Sequence, residues 1–153
     1  MNNEKTIEVL NTLVEINNDR IEGYETAVKE TDEIDLKSLF ARLIHTSLTC
    51  KQELIEEIHK MGGMSVTGTR TSGKFFRVWM DVKAAITGKD RRAILDSCEY
   101  GEDVAVDTYE KALENNLEYL TPEHQTLLNA QHEMIKADHD TIKELRDLAA
   151  ELV

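Results

Sequence analysis

Proline occurs once in 153 residues, cysteine twice and glycine seven times, and aromatic side chains make up only 5% of the chain. So few aromatics and turn formers argue against a sandwich or barrel of many short strands. Basic residues are the minority charge: 18 Lys and Arg face 30 Asp and Glu, a net charge of -12. Such a surface repels phosphate backbones, and no helix-turn-helix or aromatic RNA-binding pattern offsets it, so nucleic acid is excluded as a partner. No apolar run is long enough to span a bilayer. The N-terminal MNNEKTIEVLNTLVEINNDR has no basic stretch leading into an apolar one, so the expected location is cytoplasmic. Cys50 and Cys98 form no CxxC pair and are expected as buried free thiols of a reducing compartment. Without a Gly-rich phosphate loop, a Gly-x-Ser-x-Gly elbow or a Cys in a nucleophile context, no catalytic residue and no organic cofactor site is assigned.

What the chain does have is helical periodicity, and the expectation is one all-α domain over 1–153. A first helix from about Glu4 to Glu30 carries the stripe Ile7, Leu10, Val14, Ile21, Tyr24 and Val28, interrupted by Asn17. The polar turn 31–35 folds a second helix back beside it, with Leu36, Phe40, Leu43, Ser47, Cys50, Leu54 and Met61 inward, ending at Gly62 and Gly63. Asp90 caps a third helix with inner face Ile94, Cys98, Gly101, Ala105, Tyr109 and Ala112. Thr121 and Pro122 start a fourth, with Leu128, Gln131, Ile135, Asp138, Ile142, Leu145 and Ala149 inward. Between the two hairpins lies a stretch from about Met61 to Asp90, too long for a turn. Its first part is Gly, Ser and Thr punctuation, and its second places Phe75, Trp79, Val82 and Ile86 on one helical face. A structureless loop of that length is improbable in a compact domain, so the segment is expected to run the length of a four-helix bundle and lay a short helix on its flank.

The run RVWMDVKAAITGKD and the helical GEDVAVDTYEKAL resemble a bacterial ferritin-like family catalogued only as a domain of unknown function. Trp79, Asp81, Lys83, Gly88, Asp90, Gly101, Glu102, Tyr109 and Leu113 carry the resemblance. Asn18, Asp19, Tyr24 and Ala27 near the start, and Ala137, His139 and Asp140 near the end, extend it over nearly the whole chain. It implies a ferritin-like four-helix bundle, a neighbourhood of iron handling or oxidative stress, and side-by-side pairing as a homodimer. Phe76 departs from the pattern, standing where the family's His is expected.

A ferritin-like di-iron centre takes a Glu from each of two helices and a Glu-x-x-His pair from each of the others. Only Glu56 with His59 has that spacing, and it points away from its helix's apolar stripe, the position of a solvated pair. Glu25 and Glu53 fall near opposite ends of their helices, too far apart to share an ion. The mid-bundle level offers Glu102, Asp138 and His139, a mixed oxygen and nitrogen set suited to one iron or manganese ion. The competing and preferred reading is that Asn17, Ser47, Glu102 and Asp138 form a hydrogen-bonded internal network, or simply flank the core and reach out to water. His45 and His124 read as surface residues.

Two functions follow: a bundle that binds metal or acts in stress protection, or a non-enzymatic interaction or assembly module without a metal centre. Peripheral membrane association through Phe75, Phe76 and Trp79, with Lys74, Arg77, Lys83 and Lys89 around them, is disfavoured. An amphipathic helix beside an apolar bundle ordinarily buries its stripe there.

Overall fold

A computed structural model of the chain describes residues 3–67, 84, 87, 88 and 90–151. Their regular structure is entirely helical, in four long helices: α1 (Asn3–Glu30), α2 (Ile34–Lys60), α3 (Arg91–Asn115) and α4 (Pro122–Glu151), with a 3-10 turn at Leu117–Tyr119. No helix is long and apolar enough to cross a membrane among the described residues.

The helix ends follow local chemistry. The Gly62 amide donates to the His59 carbonyl at 2.9 Å and the Gly63 amide to the Ile58 carbonyl at 3.0 Å, a Schellman closure of α2. Gly62 sits at φ 77°, a left-handed conformation that a Cβ would strain. Gly63 abuts the side chains of Ile7 and Ile58, where a Cβ would fall 2.6 Å from Ile7 Cδ1. Asp90 Oδ1 accepts from the Ala93 amide at 3.1 Å and caps α3. At α4 the Thr121 hydroxyl accepts from the His124 amide at 3.1 Å, and His124 Nδ1 accepts from the Thr121 amide at 3.3 Å. This is a reciprocal capping box with histidine in the acidic residue's place. His124 is therefore buried rather than on the surface as its sequence context suggested, while His45 is exposed.

Direction follows from which ends touch. Asn11 of α1 donates to the Met64 carbonyl and accepts from the Val66 amide, so the chain leaves α2 beside the start of α1. Arg91, opening α3, pairs with Glu33 and Asp35 at the α1–α2 turn, the opposite end of the molecule. The Thr6 hydroxyl donates to the Tyr119 carbonyl, returning the α3–α4 turn to the end where α1 begins. The helices thus run up, down, down, up, with the end of α2 and the start of α3 at opposite ends of the molecule. Ala84 and Thr87 are helical, and the Gly88 amide donates to the Ala84 carbonyl at the expected helix end. Phe75, Trp79, Val82, Ile86 and the basic residues near them lie outside the described residues.

The interior divides by level. Leu10, Leu13, Val14, Leu54, Ile58, Ala112 and Leu128 belong to one apolar cluster. Tyr24, Leu36, Phe40, Leu43, Ile94, Cys98 and Ile142 belong to another. Buried polar side chains, Asn17, Arg20, Ser47, Glu102 and Asp138, occupy the level between them, and Gln131 lies at the level of the first cluster.

Candidate functional site

Arg20 is the largest fully buried side chain among the described residues, and it organises that polar level. Its Nε donates to Glu102 Oε2 at 2.8 Å and its Nη2 to Glu102 Oε1 at 2.5 Å, the two-pronged fit of guanidinium to carboxylate. Nη1 donates to the Ser47 hydroxyl at 2.6 Å, and Nη2 also reaches Asp138 Oδ2 at 3.4 Å. One side chain from α1 thereby engages α2, α3 and α4. Its charge also lies 5.9 Å from the Tyr24 ring centroid, and Tyr24 stacks on Phe40 at 5.5 Å. Burial works against the guanidinium charge, but the groups facing it, Glu102 first and then Tyr24 and Asp138, together outweigh it, and Arg20 holds its proton more tightly than a free arginine. Burial pushes the Glu102 carboxyl above the ordinary carboxylate range, with Arg20 pulling it back.

One turn away lies a second chain of hydrogen bonds. Asn17 Nδ2 donates to the Tyr109 hydroxyl at 2.9 Å, which donates to Gln131 Oε1 at 2.7 Å. Gln131 Nε2 then donates to the Cys50 carbonyl and to Glu53 Oε1, each at 3.1 Å. Asn17 Oδ1 has no hydrogen-bond partner among the described residues, a cost left inside the core. Cys50 and Cys98 are free and buried. Burial drives both thiols up, Cys50 to about 12.

The expected internal network therefore exists in altered form. Ser47, Glu102 and Asp138 are joined through Arg20, which the sequence reading passed over, whereas Asn17 belongs to the neighbouring Tyr109 chain. Arg20 did leave a signal. Leu13, Asn17, Arg20 and Tyr24 follow the four-three-four spacing of a buried face, and Ile21 and Val28, read as part of the stripe, lie at its margin.

An interior iron or manganese ion does not fit these residues. Held by Glu102 and Asp138, it would have to stand where the Arg20 guanidinium stands, and arginine cannot shed its charge to yield the place. Glu56 and His59 are exposed, as expected of a solvated pair. Of the three residues Glu102, Asp138 and His139, the first two converge on Arg20, and His139 turns toward other carboxylates.

His139 Nε2 lies 2.6 Å from Asp103 Oδ1 and 3.8 Å from Glu99 Oε1, and its Nδ1 lies 3.1 Å from Asp140 Oδ1. One ligand atom from each of Glu99, Asp103 and His139 can be chosen with all three within 4.8 Å of one another. Glu99 and Asp103 are four residues apart, stacked on one face of α3, with His139 reaching across from α4. Glu99 is also gripped through Oε2 by Arg146, which lies 3.6 Å from Asp96 as well. Sequence reading selected His139 but missed Glu99 and Asp103, because both lie outside the apolar stripe used to find inward-facing ligands.

No curated protein matches the chain. The family described as a domain of unknown function, DUF2383, matches residues 5–115, from the first turn of α1 to the end of α3, and the chain belongs to it.

Proposed function

We propose that this protein binds a divalent transition-metal ion, manganese or iron, at Glu99, Asp103 and His139 on the α3–α4 seam of a ferritin-like bundle in the bacterial cytoplasm. The convergence of those three side chains carries the reading. Two carboxylate oxygens and an imidazole nitrogen suit manganese, iron or zinc better than the all-oxygen preference of calcium or the soft preference of copper(I). Ligand atoms about 2.0–2.2 Å from one ion stand roughly 3 Å apart, within the spread seen here. Asp140 at Nδ1 supplies the outer partner that a ligating histidine ordinarily has, directing Nε2 to the carboxylates. Such a site leaves coordination positions open to water or a small ligand. Relative to Glu102, Asp138 and His139, the proposal keeps the histidine and moves the carboxylates toward solvent.

The up, down, down, up helix order with its end-to-end connection supports ferritin-like connectivity. The two free thiols suit a reducing compartment. A role in iron handling or oxidative stress belongs to the same proposal and rests on resemblance of fold.

Calorimetry on chelator-treated protein tests it, with manganese in air and ferrous iron under anaerobic conditions. One ion per chain is expected, lost in Asp103→Asn and His139→Ala and kept in Asp138→Asn. A flat titration with both metals overturns the proposal.

Arg20 filling the interior favours a second reading, an assembly module without a metal centre. That reading expects a flat titration together with a dimer or larger species by light scattering.

A further inference from the structure

We infer that Arg20 is a resident cation, an internal counter-ion that stands where a metal ion would be held and closes the interior of the bundle to one. The carboxylates of Glu102 and Asp138, from α3 and α4, approach each other across the core around Arg20, and the pair stays fully ionised there only beside a positive charge. The chain supplies that charge itself. Three guanidinium nitrogens are bonded within the cage, and Ser47 from α2 completes it with an oxygen acceptor. A divalent ion between the same carboxylates would meet a fixed positive charge in a medium of low dielectric, so the two cations exclude each other. Replacing Arg20 by a small residue leaves a space lined by Glu102, Asp138 and Ser47, with two acidic groups and no counter-ion. Its ligand class is therefore a free guanidinium ion, or a divalent metal.

The inference does not rest on the seam site. A wild-type chain that binds no metal would remove the seam proposal and leave Arg20 untouched.

The experiment compares wild type, Arg20→Ala and Arg20→Ala/Glu102→Gln by thermal unfolding. Each is measured with guanidinium chloride well below denaturing concentrations, against sodium chloride of equal ionic strength. Arg20→Ala is expected to lose roughly 10 °C in Tm and to regain part of it with guanidinium but not with sodium. Wild type and the double variant should gain nothing from guanidinium. Arg20→Ala should also take up manganese by a route that Glu102→Gln removes. Should Arg20→Ala fail to fold, its refolding yield with and without guanidinium gives the same comparison. Wild type labelled with 15N-arginine provides a separate measurement, in which the Arg20 Nε–H should exchange with water far more slowly than that of exposed Arg42. Three results would each overturn the inference: no selective rescue by guanidinium, an Arg20 Nε–H that exchanges like Arg42, or wild-type manganese binding abolished by Asp138→Asn but not by Asp103→Asn.

Discussion

Arg20 and Glu102, 82 residues apart, meet inside the bundle through two parallel bonds of 2.8 Å and 2.5 Å, with neither side chain more than 1% exposed. Opposite charges at this depth contribute less to net stability than their geometry suggests, because each lost its hydration on folding. Breaking the pair from one side is costly for the same reason.

Arg20→Met should therefore lower unfolding stability in urea by about 3–5 kcal/mol at neutral pH, with recovery of much of that loss in Arg20→Met/Glu102→Leu. The pH dependence has a definite sign. Burial already raises the Glu102 carboxyl, and removing Arg20 lets it rise further. A group whose folded pKa is raised favours the fold while protonated, and that contribution fades as pH climbs through the folded value. The gap between wild type and Arg20→Met should therefore be smallest in acid and widen toward neutrality. A gap of constant size between pH 4 and pH 7 would contradict this account.

At the surface the sign reverses. A hydrogen bond from Arg91 holds the Asp35 carboxyl below its ordinary value, at N–O distances of 2.6 and 3.2 Å. The stability it contributes is present above the ordinary carboxylate range and lost as pH falls through the depressed value. Because Asp35 is exposed and screened, Asp35→Asn should cost no more than about 1 kcal/mol at low salt. The cost should vanish in molar salt, which urea titrations at two ionic strengths would show.

Tyr109→Phe removes the hydroxyl that accepts from Asn17 and donates to Gln131. The ring still fills its place, so the loss is that of two buried groups left unpaired, about 1–3 kcal/mol. Hydrogen exchange should accelerate around Asn17 and Gln131. A variant as stable as wild type would mean that the two amides pair again without the hydroxyl.

Cys50 and Cys98 should be inert to thiol reagents in the native state at neutral pH, since burial both shields them and holds them in the unreactive thiol form. Labelling followed by mass spectrometry should therefore track opening of the core, and both thiols should react once urea unfolds the chain. Rapid modification of either one in native protein would contradict their placement.

The helices, most of their ends and most inward faces were legible in the chain alone, because they depend on neighbours within about four residues. The glycine closure of α2, the Asp90 cap and the Thr121–Pro122 start of α4 needed nothing from elsewhere in the chain. The all-α class followed from that periodicity. What occupies the middle of the bundle came instead from how the four helices pack. A charged residue on an apolar stripe reads as solvated until a partner on another helix is known, and Arg20 finds Glu102, Ser47 and Asp138 on three others. The same holds for Glu99, Asp103 and His139, which depend on how far α3 and α4 slide and rotate against each other. Hydropathy specifies a face to within a fraction of a turn, while ligand distances require registry between helices to within about an ångström, and packing across the whole core sets that registry.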